Sequence, residues 1–319
     1  MTSRDEAELS LVVSAQHFAA DGVSALELRQ SDGADLPAWQ PGAHIDLVLP
    51  GEMTRQYSLC GDPANPSSWR IAVLLEDEGR GGSRYIHEEI TTGSLVTTRG
   101  PRNHFSLAPS HRYVFIAGGI GITPLLPMIA QAEALGAEWA LHYVGRSRAS
   151  MAFLSQLTDL YGERVQAYPR NEVERPDLSA LLAEVTPNTL VYCCGPASLI
   201  DGVTAAASHW PGGSVHTERF EAQSLGDAVS NTSFEVHLSL SGKTIQVSPT
   251  ESILDAAREA GLRVLSSCGE GTCGTCETVI VEGTADHRDS ILTAAEQAAN
   301  DTMMICVSRA SCPRLVLEL

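Results

Sequence analysis

The sequence predicts a multidomain α/β plus β protein with an antiparallel β-barrel, a parallel α/β domain and a C-terminal β-grasp module. Residues 8 to about 100 contain short, partly alternating strands between Gly, Pro, Asp and Asn turns, which is typical of a small antiparallel barrel. Residues 111–220 alternate apolar strands with helices, the pattern of a parallel sheet. Residues 233–319 combine an alternating hairpin, one helix and a cysteine-rich loop.

The predicted domain boundaries follow these changes of pattern. The barrel takes residues 1–106, the α/β domain 107–222 and the β-grasp module 233–319. Residues 223–232 are small and polar without periodicity, so they are predicted to form a linker. In the last module, Thr250 is expected to cap the start of the helix and Gly261 its end.

Composition narrows the possible partners of the chain. It has 319 residues, of which 43% are hydrophobic and 19% charged, enough apolar mass for several cores. The net charge of −18, from 21 basic and 39 acidic residues, argues against nucleic acid and anionic membranes as partners. No apolar run approaches the roughly 18–20 residues of a membrane helix, and the N-terminus lacks a signal-peptide pattern. A cytoplasmic location is therefore expected.

The cysteines carry the most specific pattern in the chain. Cys268, Cys273, Cys276 and Cys306 are spaced as C-x4-C-x2-C with a distant fourth cysteine, which is the plant-type [2Fe–2S] spacing. Four thiolates are needed because each of two irons takes two protein ligands. A zinc site is the alternative, but such sites usually contain two C-x2-C pairs, and one is present here. The glycines of the loop are expected to turn backbone N–H groups towards the sulfurs; they are Gly269, Gly271 and Gly274.

A flavin site is predicted in the barrel. Arg55, Tyr57 and Ser58 can supply a cation, an aromatic ring and a hydroxyl near N5 of the isoalloxazine. The glycine-rich turn at 79–83 precedes a helix, so its N–H groups suit a terminal phosphate, although an ordinary turn is the alternative. FMN is favoured because no segment is apparent for the adenylate of FAD. The predicted set is Arg55, Gln56, Tyr57, Ser58, Ala72, Val73, Leu74, Arg80, Gly81, Gly82, Ser83 and Phe220.

A nucleotide site is predicted where a strand meets a helix at residues 118–124. This glycine-rich turn lets a pyrophosphate approach the helix N-terminus. It departs from G-x-G-x-x-G because Pro124 stands where the last glycine would be, so a strict Rossmann fingerprint is absent. Cys194 ends a later strand and is expected beside the nicotinamide, not as a covalent nucleophile; a buried structural cysteine is the alternative.

Coenzyme choice is left open by the sequence. Arg146 and Ser147 follow the second strand, where such folds meet the adenosine ribose. Arg146 could pair with a 2′-phosphate or contact the pyrophosphate or ribose, and there is no adjacent acid to demand NAD and no basic cluster to demand NADP. Ser58, Thr123 and Cys194 are the candidate catalytic groups. The predicted nucleotide set is Gly118, Gly119, Gly121, Thr123, Arg146, Ser147, Cys194, Gly195 and Pro196.

Taken in this order over nearly the whole chain, the motifs resemble the phthalate dioxygenase reductase family, and residues 101–105 resemble its vanillate-demethylase type. The resemblance implies a ferredoxin-reductase-like barrel with FMN, a nicotinamide domain that prefers NADH, and a β-grasp ferredoxin. It also implies a monomeric NADH-dependent reductase that passes electrons through FMN and the cluster to a Rieske oxygenase. A cytochrome P450 acceptor, a bifunctional enzyme and a passive electron carrier are the rival hypotheses.

Overall fold

The computed structural model describes residues 8–222 and 232–319. The described residues divide into two compact units, one ending at Glu218 and one running from Arg219 to Leu319. The predicted linker at 223–232 lies outside the described residues except for Thr232. The predicted boundary between residues 106 and 107 falls inside the first unit and stays a prediction. Across the described ranges, every helix is too short or too polar to cross a bilayer.

The first unit begins with a six-stranded antiparallel sheet. Its strand order is β4-β3-β6-β1-β2-β5, and the edge strands β4 and β5 contact each other, so the sheet curls into a barrel. The core is filled by inward residues of the alternating pattern, such as Leu11, Leu26 and Trp69. The elements are β1 (Glu8–Ala20), β2 (Val23–Gln30), β3 (His44–Leu49), β4 (Met53–Ser58), β5 (Trp69–Leu74), α1 (Gly82–Glu89) and β6 (Leu95–Arg102).

A five-stranded parallel sheet completes the first unit. Its order is β11-β10-β7-β8-β9, so the chain runs outwards on one side of β7 and then returns to its other side. In such a sheet, ligands bind at the carboxyl ends of the strands beside this switch point. The elements are β7 (Arg112–Gly118), α2 (Ile122–Ala134), β8 (Glu138–Gly145), α3 (Leu154–Tyr161), β9 (Val165–Pro169), α4 (Leu178–Leu181), β10 (Thr189–Cys194), α5 (Ala197–Ala206) and β11 (Val215–Glu218).

The two sheets of the first unit share one hydrophobic core. Ala25, Ala72 and Phe105 from the barrel side pack in the same cluster as Tyr113 and Tyr192 of the parallel sheet. The strand β5 also contacts the turn at 119–121, which follows β7. The predicted flavin and nucleotide segments are therefore held next to each other by ordinary apolar packing.

The C-terminal unit is a mixed five-stranded sheet of order β13-β12-β18-β14-β16 with a helix after its first hairpin, as the β-grasp prediction requires. The predicted helix cap at Thr250 is wrong: Ser252 caps the helix and accepts a hydrogen bond from the Asp255 N–H. Gly261 follows the helix with a φ of 83°, as predicted. The elements are β12 (Phe234–Leu238), β13 (Lys243–Val247), α6 (Ile253–Glu259), β14 (Glu277–Glu282), β15 (Ala285–Asp286), α7 (Ala294–Ala299), β16 (Thr302–Met304), β17 (Arg309–Ala310) and β18 (Arg314–Leu317).

A buried arginine ties the C-terminal unit together. Arg309 is 6% exposed, and its guanidinium lies 5.0 Å from the ring centroid of Phe234. It donates to the carbonyl oxygens of Ser248 at 2.8 Å, Thr232 at 3.1 Å and Glu251. Because the Arg309 side chain is buried, these hydrogen bonds offset the cost of removing its charge from water. They connect Thr232, just before β12, to the segment before α6.

Replacing Arg309 should destabilise this unit. Arg309→Gln removes donors from three carbonyls, and we expect a loss of about 2–4 kcal/mol in the free energy of unfolding. Urea denaturation followed by far-UV circular dichroism measures it. Arg314→Gln is the matched control, because Arg314 is 55% exposed and pairs with Glu235 at the surface. Equal losses in both variants would contradict a special role for Arg309.

Candidate functional site

The cation and the glycine-rich turn predicted for the flavin site come together in space. A Cβ added at Gly82 would stand 2.8 Å from both Cγ and Nε of Arg55. The other end of the guanidinium donates to the carbonyl oxygen of Arg80 at 3.2 Å. The helix α1 begins at Gly82, and Gly81 before it has a φ of 83°. A positive side chain thus lies against a helix N-terminus, and this arrangement fits a phosphate.

The strand β4 divides its four predicted flavin residues between its two faces. Arg55 and Tyr57 share one face because side chains alternate along a strand. On the other face, Gln56 donates to the Asp46 carboxylate at 2.8 Å, and Asp46 is fully buried. The Gln56 side chain therefore already has a partner within the barrel, and the flavin contacts of Tyr57 and the buried Ser58 stay predictions. Burial raises the pKa of Tyr57, so its hydroxyl stays protonated.

The strand β5 and helix α1 hold the remaining predicted flavin residues. Ala72 and Val73 are buried and Leu74 is half-buried on β5. A ring nitrogen of His87 on α1 lies 2.9 Å from the Val73 carbonyl oxygen, which fixes the helix to the strand. The Ser83 hydroxyl oxygen accepts a hydrogen bond from the Glu76 N–H at 3.1 Å, so its own hydrogen can still be donated to a ligand.

The two glycine-containing segments of the nucleotide site form one continuous edge. A Cβ at Gly121 would stand 2.3 Å from the Cys194 carbonyl oxygen, and one at Gly118 would stand 2.7 Å from Cδ of Pro196. A Cβ at Gly195 would lie 2.8 Å from the Gly118 Cα. At Gly121 and Gly195 glycine is required because backbone packs directly on backbone, and at Gly118 because the side chain of Pro196 fills the space. The structure therefore brings the ends of β7 and β10 together, as their separate predictions require.

Two hydroxyls hold the glycine-rich turn. Thr123 is 2% exposed and donates from Oγ1 to the Ile120 carbonyl oxygen at 2.9 Å. The buried Tyr143 hydroxyl lies 3.1 Å from the carbonyl oxygens of both Gly119 and Ala152. Tyr143 was not predicted as a site residue, because in the sequence it is one apolar position among others in β8. Its contact with Gly119 is a long-range one that spacing does not show.

Cys194 has an acidic neighbour that the sequence analysis missed. Cys194 and Glu218 are register partners at the carboxyl ends of β10 and β11, with 3.9 Å between Sγ and Oε2. Burial, and then the nearby carboxylate, raise the pKa of the Cys194 thiol well above its usual value. Cys194 is therefore a neutral thiol, as expected for a residue that is not a nucleophile. Desolvation raises the pKa of Glu218 to about 8.

The other predicted contacts lie at the edges of this region. Arg146 is exposed directly after β8. Ser147 caps the short turn that follows, with its hydroxyl 3.2 Å from that of Ser150. Phe220 is 41% exposed and belongs to the C-terminal unit. Its predicted place against the flavin stays a prediction.

The cysteine loop of the C-terminal unit turns backbone N–H groups onto sulfur. The N–H groups of Glu270 and Thr272 donate to the Cys268 sulfur at 3.2 and 3.4 Å, and the Cys268 N–H donates to Cys273 at 3.4 Å. Gly269 and Gly271, which lie between these donors, adopt the left-handed conformation that glycine allows, with φ values of 69° and 70°, and Gly274 later in the loop has a φ of 76°. The loop is thus built for thiolates, which need such donors.

The four predicted ligands form one group of sulfurs. The Cys268 sulfur interacts with those of Cys273 and Cys306, and Cys306 interacts in turn with Cys276; these contacts lower the pKa of Cys268 and raise that of Cys306. The eight cysteines lie within the described ranges, and none of them forms a disulfide bond there. In those ranges no three His, Cys, Asp or Glu side chains surround a point suited to a single metal ion. A two-iron cluster, with two sulfurs for each iron, does not need such a point.

Comparison with known proteins agrees with this geometry. Residues 236–311 match the 2Fe–2S iron–sulfur cluster binding domain family, and the match contains all four ligands. The phenoxybenzoate dioxygenase subunit beta of Ectopseudomonas oleovorans is 41% identical over 98% of both chains. The phthalate dioxygenase reductase of Burkholderia cepacia is 37% identical over 100% of this chain and 99% of its own.

The chain belongs to the phthalate dioxygenase reductase family. The family also contains a vanillate O-demethylase oxidoreductase of Acinetobacter baylyi, which is 36% identical over 98% of this chain and 99% of its own. The protein is therefore an oxidoreductase, a reductase component of an oxygenase system. Its cofactors are FMN, NADH and a [2Fe–2S] cluster, as predicted.

Solved structures agree with the predicted architecture. A phthalate dioxygenase reductase, described as a modular structure for electron transfer from pyridine nucleotides to [2Fe–2S], matches with a TM-score of 0.72, 37% identity and full coverage of both chains. An intact type IV self-sufficient cytochrome P450 monooxygenase matches 98% of this chain with a TM-score of 0.92 and 44% identity. The reductase spans about two fifths of that structure, 41% of its length.

Filling the space at Gly82 should weaken FMN binding. Gly82→Ala places a methyl group 2.8 Å from the Arg55 side chain, so the cation must leave its position beside the helix start. We expect the FMN dissociation constant to rise about tenfold or more, since a charge-assisted hydrogen bond contributes about 1.5–3 kcal/mol. Flavin fluorescence measures the affinity. Gly212→Ala is the control, because a Cβ there meets nothing within 4 Å. Similar losses of FMN affinity in both variants would contradict a phosphate site formed by Arg55 and the start of α1.

The raised pKa of Glu218 should appear in the pH dependence of stability. Between its ordinary pKa and about 8, the folded protein holds a proton that the unfolded chain has released. The free energy of unfolding contributed by this group therefore falls as pH rises through that window. Glu218→Gln removes the effect, so its stability relative to the wild type should increase from pH 5 to pH 8 in urea denaturation.

The matched control for the loss of a carboxylate is Glu138→Gln, an exposed position at the start of β8. The same pH trend in both variants would assign the effect to net charge and not to the raised pKa of Glu218.

Proposed function

We propose that this protein is the NADH-dependent reductase of a Rieske-type aromatic oxygenase or demethylase, acting as a monomer in the cytoplasm. Its three parts would be the predicted barrel at 1–106, α/β domain at 107–222 and ferredoxin module at 233–319. One observation carries the proposal: the chain contains three sites together. They are the phosphate site formed by Arg55 and the start of α1, the nucleotide edge formed by the ends of β7 and β10, and the four-cysteine loop. Together they would provide a site that accepts hydride from NADH and a cluster that releases electrons one at a time.

The barrel residues would hold FMN, which when bound supplies the conversion of a two-electron hydride into single electrons. Arg55 and the N–H groups at the start of α1 would bind the phosphate. Tyr57 lies on the same face of β4 as Arg55 and can pack against a flat ring system. The Ser58 hydroxyl can donate a hydrogen bond to a ring nitrogen and so fix the orientation of the ring.

The parallel sheet would present the nicotinamide to the barrel. Gly118 and Gly121 let the turn pack against the end of β10, and Gly119, where a Cβ would meet nothing within 4 Å, leaves room for the pyrophosphate at the start of α2. Thr123 and Tyr143 hold that turn in one conformation through their hydrogen bonds to its carbonyl oxygens. Cys194 lies at the end of β10 beside the predicted nicotinamide position and, as a neutral thiol, would contact the ring without attacking it.

The C-terminal module would act as the electron exit. Backbone N–H groups at Cys268, Glu270 and Thr272 donate to sulfur, and such donors stabilise the more negative, reduced state of a thiolate-bound cluster. The loop thus favours acceptance of an electron from within the chain.

A cytochrome P450 is the second candidate acceptor. The specific observation in its favour is the 44% identity and TM-score of 0.92 to the corresponding part of a self-sufficient P450 monooxygenase. The reductase function is the same in both cases, and the two proposals differ only in the protein that accepts the electrons.

The order of the relay is tested by Cys273→Ser. This variant should lose electron transfer to cytochrome c and to the terminal oxygenase, because one cluster ligand is missing. NADH should still bleach the flavin absorption in anaerobic stopped-flow measurements at close to the wild-type rate. Cys312→Ser is the control, since Cys312 lies in the same unit outside the group of four ligands. Loss of flavin reduction in Cys273→Ser would contradict the proposed order.

The acceptor is identified by reconstitution with purified terminal components encoded near the gene. A Rieske oxygenase should show reduction of its own cluster by electron paramagnetic resonance when NADH and the reductase are added. A P450 should instead show the carbon monoxide difference band of its reduced haem. The Rieske proposal fails if only the P450 is reduced.

A further inference from the structure

The loops after β8 and β9 are joined at the carboxyl edge of the parallel sheet. The Arg170 N–H donates to the Gly145 carbonyl oxygen at 2.9 Å, and the Asn171 N–H donates to that of Arg146 at 3.2 Å. The residues that follow β9 are thereby held beside Arg146 and Ser147, where the adenosine ribose was predicted to bind.

The junction between these two loops places an acidic residue, Glu172, next to the region where the adenosine ribose was predicted to bind. The Glu172 N–H donates to the Pro169 carbonyl oxygen at 2.9 Å, which closes a turn at the end of β9. The Glu172 carboxylate then binds Arg148, with 2.8 Å between Oε2 and Nε. Arg148 is the first residue of the short turn that Ser147 caps. Glu172 therefore stands next to the end of β8 in space although it is more than twenty residues away in sequence.

NADPH differs from NADH by a phosphate on the ribose 2′ oxygen, so selectivity depends on the charges at this place. A carboxylate accepts a hydrogen bond from the 2′-hydroxyl and repels a 2′-phosphate, whereas a free arginine binds that phosphate. We propose that Glu172 selects NADH over NADPH, by presenting a carboxylate at the ribose and by keeping the Arg148 guanidinium engaged. The proposal rests on the proposed function in that the nucleotide must bind at this edge.

The pair is suited to such a role and to mutagenesis. Arg148 and Glu172 are 57% and 42% exposed, so both can be reached by a ligand from solvent. An exposed ion pair contributes about 0–1 kcal/mol to stability, so its removal leaves the fold intact. Arg146, which is also exposed, is unchanged in the variants compared below and therefore does not account for a difference between them.

The test uses two probes that differ only in the 2′-phosphate, adenosine 2′,5′-bisphosphate and AMP, with calorimetric binding to the full-length holoprotein. The wild type should prefer AMP. Glu172→Gln should improve binding of the bisphosphate relative to AMP about tenfold, since removal of one charge about 6 Å from a doubly charged phosphate changes the interaction by roughly 1.4 kcal/mol in water. The ratio of flavin reduction rates with NADPH and NADH should shift in the same direction.

The double variant Glu172→Gln with Arg148→Gln tests the second half of the proposal. Because the double variant lacks the Arg148 guanidinium, most of the gain in binding of the bisphosphate relative to AMP should disappear. The matched control is Glu133→Gln, which removes the partner of Arg164 in a similarly exposed pair. That pair lies near the amino-terminal ends of β8 and β9, so the control should leave the preference unchanged.

Three outcomes overturn the inference: an unchanged preference in Glu172→Gln, a full gain retained in the double variant, or the same gain in Glu133→Gln. Each leaves the reductase function standing if NADH still bleaches the flavin of the wild type. Failure of NADH to do so in the wild type would instead contradict the proposed function itself.

Discussion

The nucleotide edge depends on the contact of backbone with backbone between the turn after β7 and the end of β10. Gly121 and Gly195 leave no space for a Cβ there, since one would stand 2.3 Å from the Cys194 carbonyl oxygen and the other 2.8 Å from the Gly118 Cα. This contact sets the position of the turn relative to Cys194 at the carboxyl ends of both strands. The strand order of the sheet follows from the same requirement, since β7 and β10 must be neighbours for the contact to exist.

The cluster loop uses glycine for a different purpose. At Gly118 and Gly121 the side chain is excluded by its neighbours, whereas a Cβ at Gly269 meets nothing within 4 Å and the requirement is the positive φ. Left-handed residues alternate with donating N–H groups, so successive peptide groups point to the same side of the loop. Glycine thus allows close packing of chain segments at Gly118 and Gly121, and it allows a left-handed backbone conformation at Gly269.

Local patterns predicted much of the molecule. The cysteine spacing, the two glycine-rich turns and the alternation of strands with helices lie within short windows, so they predicted the [2Fe–2S] cofactor, the helices that follow the two turns and the fold class. The helix cap at Thr250 was wrong because Thr250 and Ser252 are equally good candidates by residue type, and only the position of the helix start decides between them.

What the sequence did not reveal consists of contacts between distant segments. Tyr143 holds Gly119 and Ala152, Glu218 stands beside Cys194, and Glu172 meets Arg148 across two strands. Each of these residues has an unremarkable neighbourhood in the sequence. Gln56 was grouped with Arg55 and Tyr57 by adjacency, but the alternation of the strand turns it towards Asp46.

The burial of thiols in the first unit has a consequence for chemical durability. Burial raises the pKa of Cys60 to about 12, and that of Cys194 is also raised well above its usual value. Peroxides and alkylating agents attack the thiolate, and a protonated thiol reacts slowly with them. A protein that carries reducing equivalents in air is exposed to such oxidants. The same packing that forms the nucleotide edge therefore also protects Cys194, the sulfur closest to it, from irreversible oxidation.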